Sequence, residues 1–256
     1  MTWEHEGVPR PPATRVRRRR RRSALAGVFN TLVMAGAVTV GVIAWHPAYE
    51  LADLTRLVGV SQERLNPAPA RVPGEGSFTF GMTQPGSSAP VGYDPCDTIE
   101  IVINPAGAPD SYVELVGTAI ERTSTATGLS MRVVGETDDR DFTHRGPGDP
   151  VLVAWATEDE VPELTGDVAG IGGSTALQRR SHAGYVSGIV VVDQDVPFWN
   201  RGDARAQVIM DHEFAHLVGL AHVADQGELM HTTPSRASYG PGDLEGLAEL
   251  GNIPCG

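Results

Sequence analysis

"DHEFAHLVGLAH", residues 211–222, gathers three histidines, a glutamate and a glycine into twelve positions of a chain with only 8 histidines in 256 residues. His212 and His216 are four apart, so on a helix they share one face about one turn apart and can grip one ion together. Glu213 is rotated by about 100° from His212, close to that ion but aimed past it, which suits a base acting on water better than a ligand. Gly219 stands where the chain must leave the helix, and glycine tolerates the left-handed backbone such a turn requires. After the bend His222 can approach the same ion from another side. Three neutral imidazoles plus one water make the open four-coordinate zinc site that catalysis needs. In a chain this long the five fixed positions of H-E-x-x-H-x-x-G-x-x-H arise by chance with a probability on the order of 10⁻⁴ or less.

The elements around this helix follow from periodicity. "DTIEIVINP" alternates Ile99, Ile101 and Ile103, a strand ended by Pro105. "DSYVELVGTAIERTSTATG" repeats Val113, Val116 and Ile120 at helical spacing and stops at Gly128. "LSMRVV" reads as a second strand and "PVLVAWA" as a third, its unbroken apolar run suited to a buried central place. "DVAGIGGSTAL" and "YVSGIVVVDQD" read as two more strands, the first weakened by glycines. "DARAQVIMDHEFAHLV" is the second long helix, with Asp203 as its N-cap, and "GPGDLEGLAELG" a short last one. The expected class is α+β: a twisted, mostly parallel five-stranded sheet with helices on one side and the histidine-bearing helix late in the chain.

The first third reads as a membrane address. Residues 1–22 hold eight arginines against Glu4 and Glu6, a balance of +6 within a net charge of −12, which leaves −18 on the remainder. Every basic residue outside histidine is arginine, which points to a GC-rich genome of bacterial type. Ser23 to Trp45 has no charged residue. As a helix it rises about 34 Å, enough to cross a hydrocarbon core of ~30 Å. The expected organisation is a basic cytoplasmic tail (1–22), a transmembrane signal anchor (23–45), an extracytoplasmic Pro/Gly-rich linker (46–95) and a folded domain (96–256). Cleavage of the apolar run, with release of the domain, is the alternative. An acidic domain repels nucleic-acid phosphates, so nucleic acid is not expected as a partner. Cys96 and Cys255 lie on the exported side and bracket the folded domain; a disulfide joining its ends is the preferred reading over two free thiols.

The stretch 212–222 closely resembles the zinc-binding signature of the metzincin metalloproteases. Their pattern adds a methionine in a tight turn downstream, and "GELMHTTP" supplies Met230 eight residues after His222. The closing "YGPGDLEGLAELG" is similar to the last helix of the matrixin branch. The resemblance spans about 96–256. It implies zinc ligands His212, His216 and His222, general base Glu213 and turn methionine Met230. It further implies that Ala169, Gly170, Ile171, Gly172 and Gly173 belong to an antiparallel edge strand along which a peptide or protein substrate lies.

The chain also departs from that family. No P-R-C-G-x-P-D segment plugs the metal, and "YDPCDT" around Cys96 is a poor substitute. A loop for a second, structural zinc is not recognisable, and His144 and His182 stand isolated. Thr232 occupies the position where some metzincins carry a tyrosine, and His231 sits beside Met230. Asp225 and Glu228 read as turn or supporting residues. "ATEDEVPEL" (156–164) offers oxygens to calcium, with a solvated loop the preferred reading. The expected function is a membrane-anchored zinc endopeptidase. Its rivals are a zinc-binding adaptor without turnover and a structural protein whose motif is accidental. Oligomeric state is not legible.

Overall fold

The computed structural model describes residues 63–70, 75–143, 145–179, 182–196 and 204–255. The basic tail, the apolar run 23–45, His144 and Asp203 lie outside them. Among the described residues no helix is long and apolar enough to cross a membrane.

In chain order the elements are β1 (Thr79–Phe80), β2 (Thr98–Asn104), α1 (Tyr112–Thr127), β3 (Ser130–Glu136), β4 (Val151–Ala156), β5 (Gly170–Arg179), β6 (His182–Asp193), α2 (Ala204–Val218), β7 (Leu220–Ala221) and α3 (Pro241–Gly251). β2 to β6 form one five-stranded sheet in the order β3-β2-β4-β6-β5. All its pairings are parallel except β5 with β6, so the fold is α+β with a mixed sheet. The antiparallel β5 occupies an edge, with only a two-residue break between it and β6. So short a connection permits a hairpin but no parallel crossover.

The alternation in β2 does what period two requires. Ile99, Ile101 and Ile103 are all buried against the helices. β4, flanked by β2 and β6, is buried at every residue from Val151 to Ala156, as its continuous apolar run demands. α1 ends at Gly128 in the left-handed region (φ 69°), its N–H donating to Ser124 O. On its buried face are Val116, Ala119, Thr123 and Thr127, and Ile120 packs against the core, so of the expected stripe only Val113 stays outside. Val113 is 63% exposed, because it lies in the first turn at the margin of that face.

One main core fills the space between the sheet and the helices, built around Trp155, Phe214, Met210, Leu217 and Leu247. On the opposite sheet face Val161 and Leu164 cover Val191 and Ala156. The sheet is thus helix-covered on one side and loop-covered on the other. Each fully buried large apolar side chain contributes roughly 1.5–3 kcal/mol.

Residues 75–95 are not the loose tether expected of 46–95. Val91 is fully buried, Tyr93 belongs to the main core, Phe78 and Phe80 pack on it, and β1 pairs antiparallel with β7. Dense proline and glycine prevent long regular elements but not the packing of four apolar side chains. The packed unit therefore begins before residue 96.

Cys96 and Cys255 form a disulfide with Cα atoms 5.6 Å apart and a sequence separation of 159. A cross-link over so long a loop removes much chain entropy from the unfolded state, worth roughly 2–5 kcal/mol. The Cys96→Ser/Cys255→Ser variant should melt on the order of 5–15 °C below the oxidised protein in a thermal scan. Equal melting temperatures would show that the bond does not close the unfolded chain.

Candidate metal centre

Helix α2 delivers His212 and His216, and the bend after it delivers His222. Gly219 makes the bend at φ +125°, its N–H reaching Ala215 O (3.2 Å) and His216 O (3.1 Å). A Cβ there would also come within 2.9 Å of Leu250 Cδ2, so both conformation and space require glycine. The three Nε2 atoms converge: His212 to His222 is 3.0 Å and His216 to His222 is 3.1 Å. His212 is buried, His216 half-buried and His222 exposed, which leaves one side open to solvent.

The hydrogen bonds on the far side of two rings decide what those nitrogens can do. His212 Nδ1 donates to Leu229 O and His216 Nδ1 donates to Leu220 O, each at 2.8 Å. A carbonyl only accepts, so both Nδ1 atoms carry the proton and both Nε2 atoms present lone pairs. Burial pushes each of these imidazoles down to about 4, further lowered by the neighbouring histidines, which keeps them neutral. His222 is lowered too, by burial and then by His231. Both lone pairs point at His222 Nε2, 3.0 and 3.1 Å away, so the three nitrogens converge on one point where a cation fits. The donor set, its tautomers and its spacing fit a divalent metal taking three histidine ligands.

Glu213 follows His212 on α2 and is 5% exposed. Burial pushes its carboxyl up to about 8, against a lowering contact from the Gly172 amide. The glycines of β5 allow this closeness. A Cβ on Gly172 would stand 2.1 Å from the Glu213 carbonyl oxygen, and one on Gly170 would stand 2.8 Å from Glu213 Cγ. Ser174, next on the same face, donates its hydroxyl to Leu217 O at 2.6 Å. Residues 170, 172 and 174 thus form a shelf on which α2 lies, and Ile171 turns to the other sheet face. Ala169 precedes the strand and accepts from Asp193 N at 3.0 Å.

Met230 is buried in the main core, and its carbonyl accepts from the N–H of Val223, the residue after His222, at 3.0 Å. Its turn is held by Asp243, a fully buried aspartate in the first turn of α3. Asp243 accepts from Leu229 N (2.6 Å), Met230 N (3.3 Å) and Gly240 N (2.8 Å). Burial raises its carboxyl to about 6 despite those donors, with Glu228 adding to the rise. Glu228 in turn accepts from the Gly242 and Asp243 amides at 3.0 Å each, the free N–H groups of the α3 start. Glu228 is therefore a supporting residue, while Asp225 is exposed and caps its own loop through Gly227 N (2.8 Å). The role of Asp243 was not read from the sequence. Its signal was the position three residues after Gly240 at a helix start, which marks a capping carboxylate but not the turn it would hold.

Other expectations resolve plainly. His231 accepts from Thr233 N at 3.1 Å beside the site, Thr232 is exposed, and His182 is exposed and joins no metal-binding group among the described residues. "ATEDEVPEL" gathers no convergent ligands either, since Glu160 is paired with Arg140 and Val161 and Leu164 are core. Asp94, Cys96 and Cys255 also lie together, but the disulfide occupies both thiols. A cleft of about 260 Å³ lined by Phe142, Arg145, Ile171 and Ile189 includes none of the three histidines. No family model and no curated protein matches this sequence.

Two outcomes follow from this geometry. Gly172→Ala should destabilise the protein by about 1–3 kcal/mol or more and loosen the site, because its methyl group meets backbone. Gly173→Ala, with nothing within 4 Å of the added atom, should be tolerated; equal behaviour of the two in denaturant titrations would refute the close approach. In chelator-treated protein, Glu213 holds a proton in the folded state up to about pH 8, whereas the unfolded chain releases it near 4.5. Its burial therefore costs stability increasingly as pH rises through that window. Glu213→Gln should melt several degrees above the parent at pH 8, with the gap closing toward pH 4.5.

Proposed function

We propose that this protein is an exported zinc endopeptidase of the metzincin type, its domain carried outside the cytoplasm by the apolar run 23–45. The observation that carries the reading is the convergence of three imidazole Nε2 atoms, two of them fixed as lone pairs, beside one buried carboxylate and an edge strand. Zinc(II) would be held by His212, His216 and His222; when bound, it supplies a Lewis acid that lowers the pKa of water and polarises a peptide carbonyl. A cation at that point also favours the ionised form of Glu213 over the protonated one that burial alone would impose.

Glu213 is the base. It accepts a proton from the attacking water at its carboxylate and passes the same proton to the departing amine nitrogen, so one residue serves both halves of the hydrolysis. β5 orients the substrate. Ala169 and the residues in register with it spend their backbone groups on β6, whereas the alternate residues Gly170 and Gly172 face outward, the Gly172 amide toward Glu213, along an edge that no strand covers among the described residues. An extended peptide can add to that edge by backbone hydrogen bonds, which tolerates many side chains. Met230 and Asp243 touch no substrate; they hold the Leu229 carbonyl against His212.

Glu213→Ala in the purified full-length protein should lower cleavage of a peptide library by at least about a hundredfold while zinc content stays at one ion per chain. Undiminished cleavage would remove Glu213 from the mechanism. Zinc uptake by the parent protein with no cleavage of any library member would favour the adaptor reading instead.

A further inference from the structure

The segment just before β2 reaches the metal site through its backbone. Thr79 pairs with Ala221 and Phe80 with Leu220. Gly81 N then donates to Gly219 O at 2.9 Å, so three consecutive residues grip the bend between the second and third histidines. The middle residue of that bend is Leu220, whose carbonyl accepts the hydrogen bond from His216 Nδ1.

The strap then folds back. Thr83 and Pro90 form an antiparallel bridge, Gln84 N donates to Ala89 O (2.8 Å) and Val91 N to Met82 O (3.0 Å). It is latched to β6 by one side chain. The Gln84 amide donates from Nε2 to Ala183 O and accepts at Oε1 from Ala183 N, both at 2.8 Å. Beyond the latch, Tyr185 N donates to Gly92 O at 3.0 Å, and Val91 O lies 3.2 Å from where a Gly219 Cβ would be. The bend is thus enclosed by the strap on one side and α3 on the other.

We propose that residues 79–92 are a positioning element of the metal centre. Their pairing sets the Leu220 carbonyl that orients His216 and the bend that presents His222, and Gln84 is the positioning residue that latches them. This rests on the reading of the three histidines as metal ligands. Groups that orient a ligand through its far ring nitrogen typically change metal affinity 10–100-fold when lost.

The test is zinc affinity, by competition with a chromophoric chelator, on full-length protein with Gly81→Ala, Gly81→Pro, Gln84→Ala and Arg140→Ala. Gly81→Ala keeps the N–H, and its new methyl group comes no closer than 3.7 Å to Gly219 O, so affinity should match the parent. Gly81→Pro removes that donor and Gln84→Ala removes the latch; each should release zinc at least about tenfold more readily and alter the visible absorption of the cobalt(II)-substituted site. Arg140→Ala breaks the ion pair to Glu160 and controls for general destabilisation; its affinity should stay at the parental value. Parental affinity and spectrum in Gln84→Ala would overturn the strap's role, whether or not the proline variant folds. A parent protein that takes up no zinc would instead overturn the metal reading beneath it.

Discussion

Two backbone carbonyls govern this site. Leu229 O and Leu220 O each accept a hydrogen bond from the inner nitrogen of a histidine, and by doing so they leave the outer nitrogens of His212 and His216 as bare lone pairs. Neutral imidazole has one donor and one acceptor, so fixing the first fixes the second. Burial reinforces the choice by disfavouring the imidazolium form. Without those carbonyls the rings could rotate or exchange tautomers, and three nearby nitrogens would be only a cluster of polar groups.

Each carbonyl has its own support. Leu229 sits in the turn before Met230, and the buried Asp243 carboxylate holds that turn by its amides while Glu228 closes the start of α3. Leu220 sits in the bend after Gly219, and the strap from residues 79–92 holds it by strand pairing. Two segments far apart in sequence therefore converge on the two rings from opposite ends of the domain. The disulfide between Cys96 and Cys255 ties the stretch that follows the strap to the stretch that follows α3.

The same economy places the carboxylate. Glu213 comes with His212 on one helix, but its closeness to β5 depends on missing side chains at Gly170 and Gly172. A helix normally lies about 10 Å from a sheet because side chains keep it there, and paired glycines let backbone approach backbone. The glycines that weaken β5 as a strand are what bring its outer edge beside the base. β5 turns back on β6 through a short hairpin connection, and among the described residues no strand pairs with its outer edge.

The amino-acid sequence by itself determined what depends on near neighbours. The shared helix face of His212 and His216, the glycine bend before His222, the alternation of Ile99, Ile101 and Ile103, the buried run of β4 and the cap at Gly128 all rest on contacts within a few residues, which period and residue type encode. Tertiary structure alone decided the rest. The residue pattern suggested a mostly parallel sheet, and the pairing with β6 makes β5 an antiparallel edge strand. The apparent tether held a strap whose Thr79 meets Ala221, and a helix-capping Asp243 proved to brace the turn that carries Leu229. Each of these partnerships ends on a backbone amide or carbonyl, which nearly every residue carries alike, so the side-chain pattern does not announce which residue is met.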